Sequence, residues 1–542
     1  MKKRIVALLL ACLMVALPVI SLAADLTEVT IMAPSERRAD HPMSRIEEYT
    51  AYQEYKKMLE EKGVKLAFDL VSPEQYDQTL DMRMTAQLDL PDIISMNWNY
   101  PDLSAVQQAE AGTLINILEA CEKYDEDGSI WKFIDEMVPE ARGLTTAPDG
   151  GIYWFIYPFS AEMYHIVDGQ PVKYEDYKGA SHNININLDW LKKVGIEYKM
   201  FMTPEEFKAA MEAFRAQDAN GDGAANEVLN LDITSFDNGI AAGYGLFPLG
   251  STMYYTEGIH CPWYAPNIKD YLRYMNDMYK SGVYDTKALS EGMIDQICAA
   301  GEASAFHQYA GWSSTYDFTG DKYLYAPIII DDDAGENGFY TGKRDGTSAI
   351  YMKFGITNAC DDVQAAINVF DTVYTDEYYI LSYFGTDKTY DVDEYGFKFR
   401  NYDAALLNDS NWLDLPMMYY LTMNALPAVN KSVNTLENAQ KMPAWDEYYA
   451  FCDYLYTNDA KCDGMSWPQT LALPTPEEAE TLTALETTLQ TYSKELLTDM
   501  ILGNKNIDDL DQYIEEMKAL GLDEYLAVYQ ARHERFVASQ QK

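Results

Sequence analysis

Basic residues are scarce. The 542-residue chain carries 41 Lys plus Arg against 86 Asp plus Glu, a formal net charge of −45. Such a polyanion lacks the basic footprint that nucleic acid and anionic lipid require, so neither is expected as a partner. Histidine and cysteine are sparse as well, at 6 and 7, and no Cys-x-x-Cys pair occurs. Neither a zinc centre nor a disulfide scaffold is suggested. Cys452 and Cys462 are near enough in sequence to pair in an oxidising compartment, with buried free thiols as the alternative. A phosphate loop, a His-Glu-x-x-His motif and a nucleophile elbow are all missing, so nothing names a reaction.

Long apolar runs are missing too, except at the start. Lys2, Lys3 and Arg4 precede an apolar stretch from Ile5 to Ile20, and Ser21-Leu22-Ala23 supplies a small residue, a spacer and a small residue. Residues 1–23 therefore read as a cleaved export signal. Leu9-Leu10-Ala11-Cys12 loosely resembles a lipobox, which would make Cys12 the lipidated residue. The mature chain would then begin with the apolar stretch Leu13 to Ala24 rather than a polar tether, so cleavage after Ala23 is preferred. No later segment approaches the ~20 apolar residues of a membrane span.

A chain this long exceeds what one core organises, so at least two lobes are expected. Strand and helix patterns alternate from Val29: strands at Val29 to Met32, Lys65 to Val71 and Ile93 to Met96, with helices near Glu47 to Lys62 and Pro73 to Gln87. This is the pattern of a parallel α/β sheet. Asn97 and Trp98 follow the third strand, at the carboxyl edge where open sheets bind ligands. Thr203-Pro204 and Thr475-Pro476-Glu477-Glu478 read as helix starts.

Aromatics are plentiful, with 43 Tyr and 9 Trp. Aromatic faces stack on sugar rings, which makes Trp98, Trp154, Trp263, Trp312 and Trp412 candidates, although any one of them could be a core residue instead. A glycosidase would also carry aromatics and acids, but needs two carboxylates at fixed separation, which spacing cannot reveal among 86 acids.

One loop has metal-ligand spacing. Asp218, Asn220, Asp222, Ala224 through its carbonyl, Asn226 and Glu227 place oxygens at short intervals, and Gly221 and Gly223 permit a tight turn. Leu229 stands where an EF-hand puts its twelfth-position acid, so the loop is not an EF-hand, yet the set suits calcium in a structural role. An ordinary Asx turn is the alternative.

These blocks, in order, resemble the extracellular solute-binding proteins, family 1, of bacterial ABC sugar importers, in the large oligosaccharide and alginate-binding branch. Leu90-Pro91-Asp92-Ile93-Ile94, Ala111-Gly112-Thr113-Leu114-Ile115, Asp149-Gly150-Gly151-Ile152-Tyr153, Asp189-Trp190-Leu191 and Thr203-Pro204-Glu205-Glu206-Phe207 carry the likeness. So do the segments Gly301 to Trp312, Tyr383 to Gly396 and Pro474 to Phe536, and the cation loop fits the same branch.

The resemblance implies a type 2 periplasmic-binding fold of two α/β lobes with ligand in the cleft, a helical C-terminal region and no catalysis. It implies crossings near Tyr153, Ile328 and Gly385. These bound a first lobe of residues 24–153 and 328–385, and a second of 154–327 and 386–542 that contains the 218–227 loop. It implies an extracytoplasmic monomer that binds carbohydrate, with Trp312 at the family's stacking position, and hands it to membrane permease subunits. Asn97 and Trp98 by their place after the strand, and Trp154 and Trp412 by their loop-like neighbours, are the other expected ligand residues. A secreted glycoside hydrolase or a surface carbohydrate-binding adhesin is the alternative. Asn187 stands where relatives often carry Arg, and Thr386-Asp387-Lys388 also departs from the family pattern. Since Asn suits uncharged hydroxyls, a neutral oligosaccharide is expected.

Overall fold

Two separate hydrophobic cores organise the chain, one built from residues 29–157 and 352–429 with Leu473, the other from 184–330 and 471–529. The computed structural model describes residues 26–96, 100–173, 182–227, 229–230, 239–244, 246, 254–255, 259–284, 303–309, 325–330, 352–402, 404–422, 424–435, 450 and 471–540.

The first core sits around a five-stranded sheet ordered Val64–Val71, Thr27–Pro34, Ile93–Met96, Lys353–Ile356, Phe155–Ile156. The first three strands run parallel, as the alternating pattern predicts; Lys353–Ile356 runs against them, and Phe155–Ile156, antiparallel to that strand, runs with them again. The Leu-Pro-Asp-Ile block has a clear task here. Asp92 Oδ2 accepts from the backbone N–H and the hydroxyl of Thr30, at 2.7 and 2.8 Å. Thr357 in turn donates to the Pro91 carbonyl at 2.6 Å, so one motif fastens three strands.

The second sheet has the order Phe201–Met202, Tyr325–Ile330, His182–Asn187, Ala305–Tyr309, Leu229–Asn230. Both expected helix starts are capping boxes. Thr203 Oγ1 accepts from the Glu206 N–H, and Glu206 accepts from the Thr203 N–H, each at 3.2 Å. Thr475 and Glu478 repeat the exchange and open the 27-residue helix Pro476–Leu502. With Leu510–Ala519 and Leu522–Gln540 this helix forms the C-terminal layer of the second core.

The chain leaves the first core twice through one ribbon. Phe159–Val167 and Asn430–Thr435 pair in parallel, Phe159 opposite Asn430. The return to the first core lies between Ile330, buried in the second core, and Met352, buried in the first. The crossing expected near Gly385 is thus corrected to beyond Val429. Leu415, Met417, Tyr420, Leu421 and Leu426 are all buried in the first core, and their burial holds residues 386–429 in that lobe.

Much of the tyrosine content is structural. Tyr49, Tyr52, Tyr55, Tyr76, Tyr271, Tyr284, Tyr325 and Tyr378 are among the largest fully buried side chains. Several of their hydroxyls find partners within the core: Tyr76 donates to the Ser95 carbonyl at 2.6 Å, and Tyr378 to that of Pro427 at 2.9 Å. Cys121, Cys261 and Cys360 are free thiols, whereas Cys452 and Cys462 lie outside the described residues.

Candidate functional site

The Thr27–Pro34 strand ends at the carboxyl edge of the first sheet, and the loop after it carries two arginines. Arg37 donates to the Met418 carbonyl at 2.8 Å, and Arg38 to Asn408 Oδ1 at 2.8 Å. Arg45 reaches the Ser410 carbonyl at 2.6 Å. The loop is therefore stitched to the 404–419 segment, which itself folds back onto the first core.

Arg400 completes this wall. It ends the hairpin strand Lys398–Arg400, opposite Tyr390. Its Nε and Nη2 donate to the Tyr383 carbonyl at 3.2 and 3.1 Å, and its Nη1 to the Tyr419 hydroxyl at 3.1 Å. The guanidinium lies 4.3 Å from the centre of the Tyr383 ring and 5.7 Å from that of Tyr419, both within cation–π range. Tyr402 meets Tyr419 through their hydroxyls at 3.4 Å and packs its ring on Trp412, 4.9 Å away and tilted 52°.

Arg37 is exposed beside this wall; burial by surrounding protein pulls its pKa down, with Arg38 adding repulsion while Tyr157 and Tyr419 oppose both. Arg400, Tyr402, Trp412 and Tyr419 line the wall, and Arg400, Trp412 and Tyr419 are half-buried, so each keeps a face that a ligand can reach.

The expected ligand residues divide unevenly. Asn97, Trp98 and Trp312 lie outside the described residues. Trp412 is in the wall. Trp154 is not at any surface: it is 1% exposed inside the first core, which corrects its expected role, because an indole sealed by packing cannot stack on a sugar. Trp263 is a core residue of the second lobe and donates to Ser493 Oγ at 2.8 Å. Asn187 is also internal. It is 1% exposed, caps the Leu188–Val194 helix by accepting from the Trp190 N–H at 3.0 Å, and donates to the Ala303 carbonyl at 3.2 Å. A buried cap cannot select a ligand, so the local ground for expecting a neutral sugar is gone.

Arg37, Arg400 and Tyr419 escaped the sequence reading. Arg37 lies more than 350 residues before the other two, and the three share no spacing signal.

The candidate cation loop is tightly wound. Asp218, Gly221 and Gly223 hold positive φ of 51°, 80° and 84°. The Asp218 carboxylate accepts from the Gly223 N–H at 3.0 Å, and Asp222 from the Ala224 N–H at 2.7 Å and Asn226 Nδ2 at 2.7 Å. Glu227 is 2% exposed, and its Oε2 is buried with no hydrogen-bond partner among the described residues. An ionised carboxylate oxygen left so is costly unless a cation or proton meets it. The donor set fits a hard cation on that account. Among the described residues no three His, Cys, Asp or Glu side chains converge as a metal group, so amide and carbonyl oxygens would have to complete the shell.

Two lobes, each built on its own sheet, joined by a ribbon and carrying a polar aromatic wall at a sheet's carboxyl edge, define the class of periplasmic-type binding proteins. No family model matches the chain. It is 25% identical over 472 residues to the fructooligosaccharide ABC transporter substrate-binding protein FusA of Streptococcus pneumoniae serotype 4, spanning 83% of this chain and 81% of that one. The structure of S. pneumoniae FusA in complex with kestose superimposes with a TM-score of 0.68 at 20% identity, covering 95% of this chain and 100% of FusA. That of the FusA EF-hand mutant with fructo-nystose gives 0.68 at 19%, covering 95% and 100%. The alginate-binding protein AlgQ2 without calcium ion gives 0.66 at 16%, covering 95% and 99%. The fold is that of these solute-binding structures, and the sequence likeness to FusA agrees with the resemblance its ordered motifs carry.

Proposed function

We propose that this protein captures an oligosaccharide between its two lobes and delivers it, intact, to the membrane permease of an ABC importer. The Arg400–Tyr419–Tyr402–Trp412 wall carries the reading. It offers what a sugar needs, a stacking surface beside fixed hydrogen-bond donors, at the edge where α/β sheets bind ligands. The carbohydrate ligands of FusA and AlgQ2 support it. Trp98 and Trp312 are proposed as further stacking platforms, with Asn97 beside them. Ligand contacts made by both lobes would favour a closed arrangement over an open one.

Capture without turnover is part of the proposal, as are export by the 1–23 signal, a monomeric state and a structural calcium. Asp218, Asn220, Asp222, Asn226, Glu227 and the Ala224 carbonyl would hold the ion. Since the three carboxylates do not converge as the loop stands, they would have to draw together around calcium, which would supply positive charge and cross-link the loop. No helix among the described residues is long and apolar enough to cross a membrane.

The test is a thermal-shift screen of the purified protein against a panel of oligosaccharides, followed by product analysis of any that bind. A raised midpoint with the sugar recovered at full length is expected. Release of shortened sugars in proportion to protein would replace the receptor reading with a glycosidase. Binding of whole polysaccharide or cells, but of no soluble sugar, would favour an adhesin.

A further inference from the structure

We propose that Arg400 and Tyr419 form a subsite for a carboxylate-bearing sugar, so that the natural ligand is an acidic oligosaccharide. The inference rests on the receptor reading and names the ligand class at the same wall.

The first ground is uncompensated charge. Arg45, Arg83, Arg142, Arg273 and Arg535 each meet a carboxylate. Arg400 meets none among the described residues, although the chain has twice as many acids as bases. Its neighbours are a carbonyl, two tyrosine rings, a hydroxyl and the Met418 sulfur. Arg37 and Arg38 lie on the adjoining loop, and the Arg38 Nε is buried without a partner among the described residues. Asp40 shares that loop, so the charge left unmatched at the wall is that of Arg400; distant surface acids oppose it weakly, since salt screens fields beyond roughly 8 Å.

The second ground is donor geometry. Arg400 Nη1 has two hydrogens, and one goes to Tyr419. The Tyr419 oxygen faces both Arg400 and the Tyr402 hydroxyl, so with its lone pairs engaged its own hydrogen points away from them. The remaining Nη1–H and the Tyr419 O–H are then adjacent donors on a half-buried face, 3.1 Å apart at their heavy atoms. Two parallel donors, one of them cationic, match the two oxygens of a carboxylate.

Calorimetry of the full chain with trigalacturonate and galactotriose, and with trimannuronate and mannotriose, tests this. At least one acid should bind at least tenfold more tightly than its neutral counterpart. Arg400→Gln should weaken the acid by roughly 10- to 100-fold, the range for a charge-assisted contact, and the neutral sugar far less. Because Arg400 also braces Tyr383, the melting midpoint of the variant is measured alongside. Should that variant not fold, Tyr419→Phe decides, with a selective loss of roughly three- to tenfold for the acid expected. Equal or tighter binding of the neutral sugars, or equal losses for both in either variant, overturns the proposal and leaves the receptor reading standing. If no oligosaccharide of either kind binds, the receptor reading falls with it.

Discussion

The backbone N–H of Asn220 lies 3.4 Å from Glu227 Oε1, while the second oxygen of the same carboxylate is buried and unmatched among the described residues. One half of the carboxylate closes the loop and the other is left for something positive. Spacing alone lets Glu227 substitute for a missing twelfth-position acid; its burial makes it the anchor.

Calcium should therefore stabilise the protein. Chelation is expected to lower the melting midpoint, and calcium to restore it, in proportion to native-state binding. Glu227→Gln should abolish this response, whereas Asp222→Ala, exposed on the loop, should weaken it. Metal analysis that finds no calcium, together with a midpoint indifferent to added ion, would reduce the loop to a turn.

Trp154 and Trp412 should behave oppositely. Trp154→Ala empties a sealed site and should cost about 3–5 kcal/mol of stability. Trp412→Ala removes a half-buried ring beside Tyr402 and should reduce sugar affinity more than stability. Urea unfolding paired with calorimetry separates the two effects. A stable Trp154→Ala protein with impaired binding would return that residue to the site.

Lys353 begins an inner strand of the first sheet with a 3% exposed side chain, and its Nζ meets Asp102 Oδ1 at 2.9 Å and the Tyr100 carbonyl at 3.1 Å. Lys353→Met should cost about 2–3 kcal/mol. That is less than the ~3–5 of a fully buried broken pair, because Asp102 remains 35% exposed to water. Burial works to raise the Asp102 pKa, but Lys353 and Arg532 prevail and hold it below its ordinary value. The pair's contribution is thus complete above the unfolded carboxyl range near pH 4 and lost as pH falls through the lower folded value. Denaturant midpoints of wild type and variant should converge as pH falls below the unfolded carboxyl value near 4.

His41 should add a separate acid sensitivity nearer neutrality. It is fully buried, with Nε2 3.0 Å from the Leu407 carbonyl, beside the arginine loop. Burial lowers its pKa; Arg38 and Arg45 add to that, while the Leu407 contact and Asp40 resist. A depressed folded value favours the neutral ring, so stability is complete above the unfolded value near 6.5 and declines as pH falls below it. His41→Gln should flatten the stability profile between about pH 7 and 5. An unchanged slope would remove His41 from the account.

The sequence by itself determined the local elements. Periodicity placed the parallel strands, Thr-Pro-Glu-Glu spacing placed two capped helices, and alternating oxygens with glycines outlined the tight loop at 218–227. All of these rest on contacts among near neighbours, which spacing encodes. It also carried the ordered motifs by which the family is recognisable without the fold. Only the tertiary structure decided which aromatic residues are core. Trp154 and Trp263 look no different in sequence from Trp412, and their fates depend on what packs over them. The third crossing moved for the same reason, since Leu415 to Leu426 could not be assigned to a lobe without knowing which sheet they cover. The candidate wall was the least legible part. Arg37, Tyr383, Arg400 and Tyr419 meet because one strand's loop is stitched to a hairpin and a turn hundreds of residues later. Burial and charge compensation are properties of that meeting, and no single segment contains them.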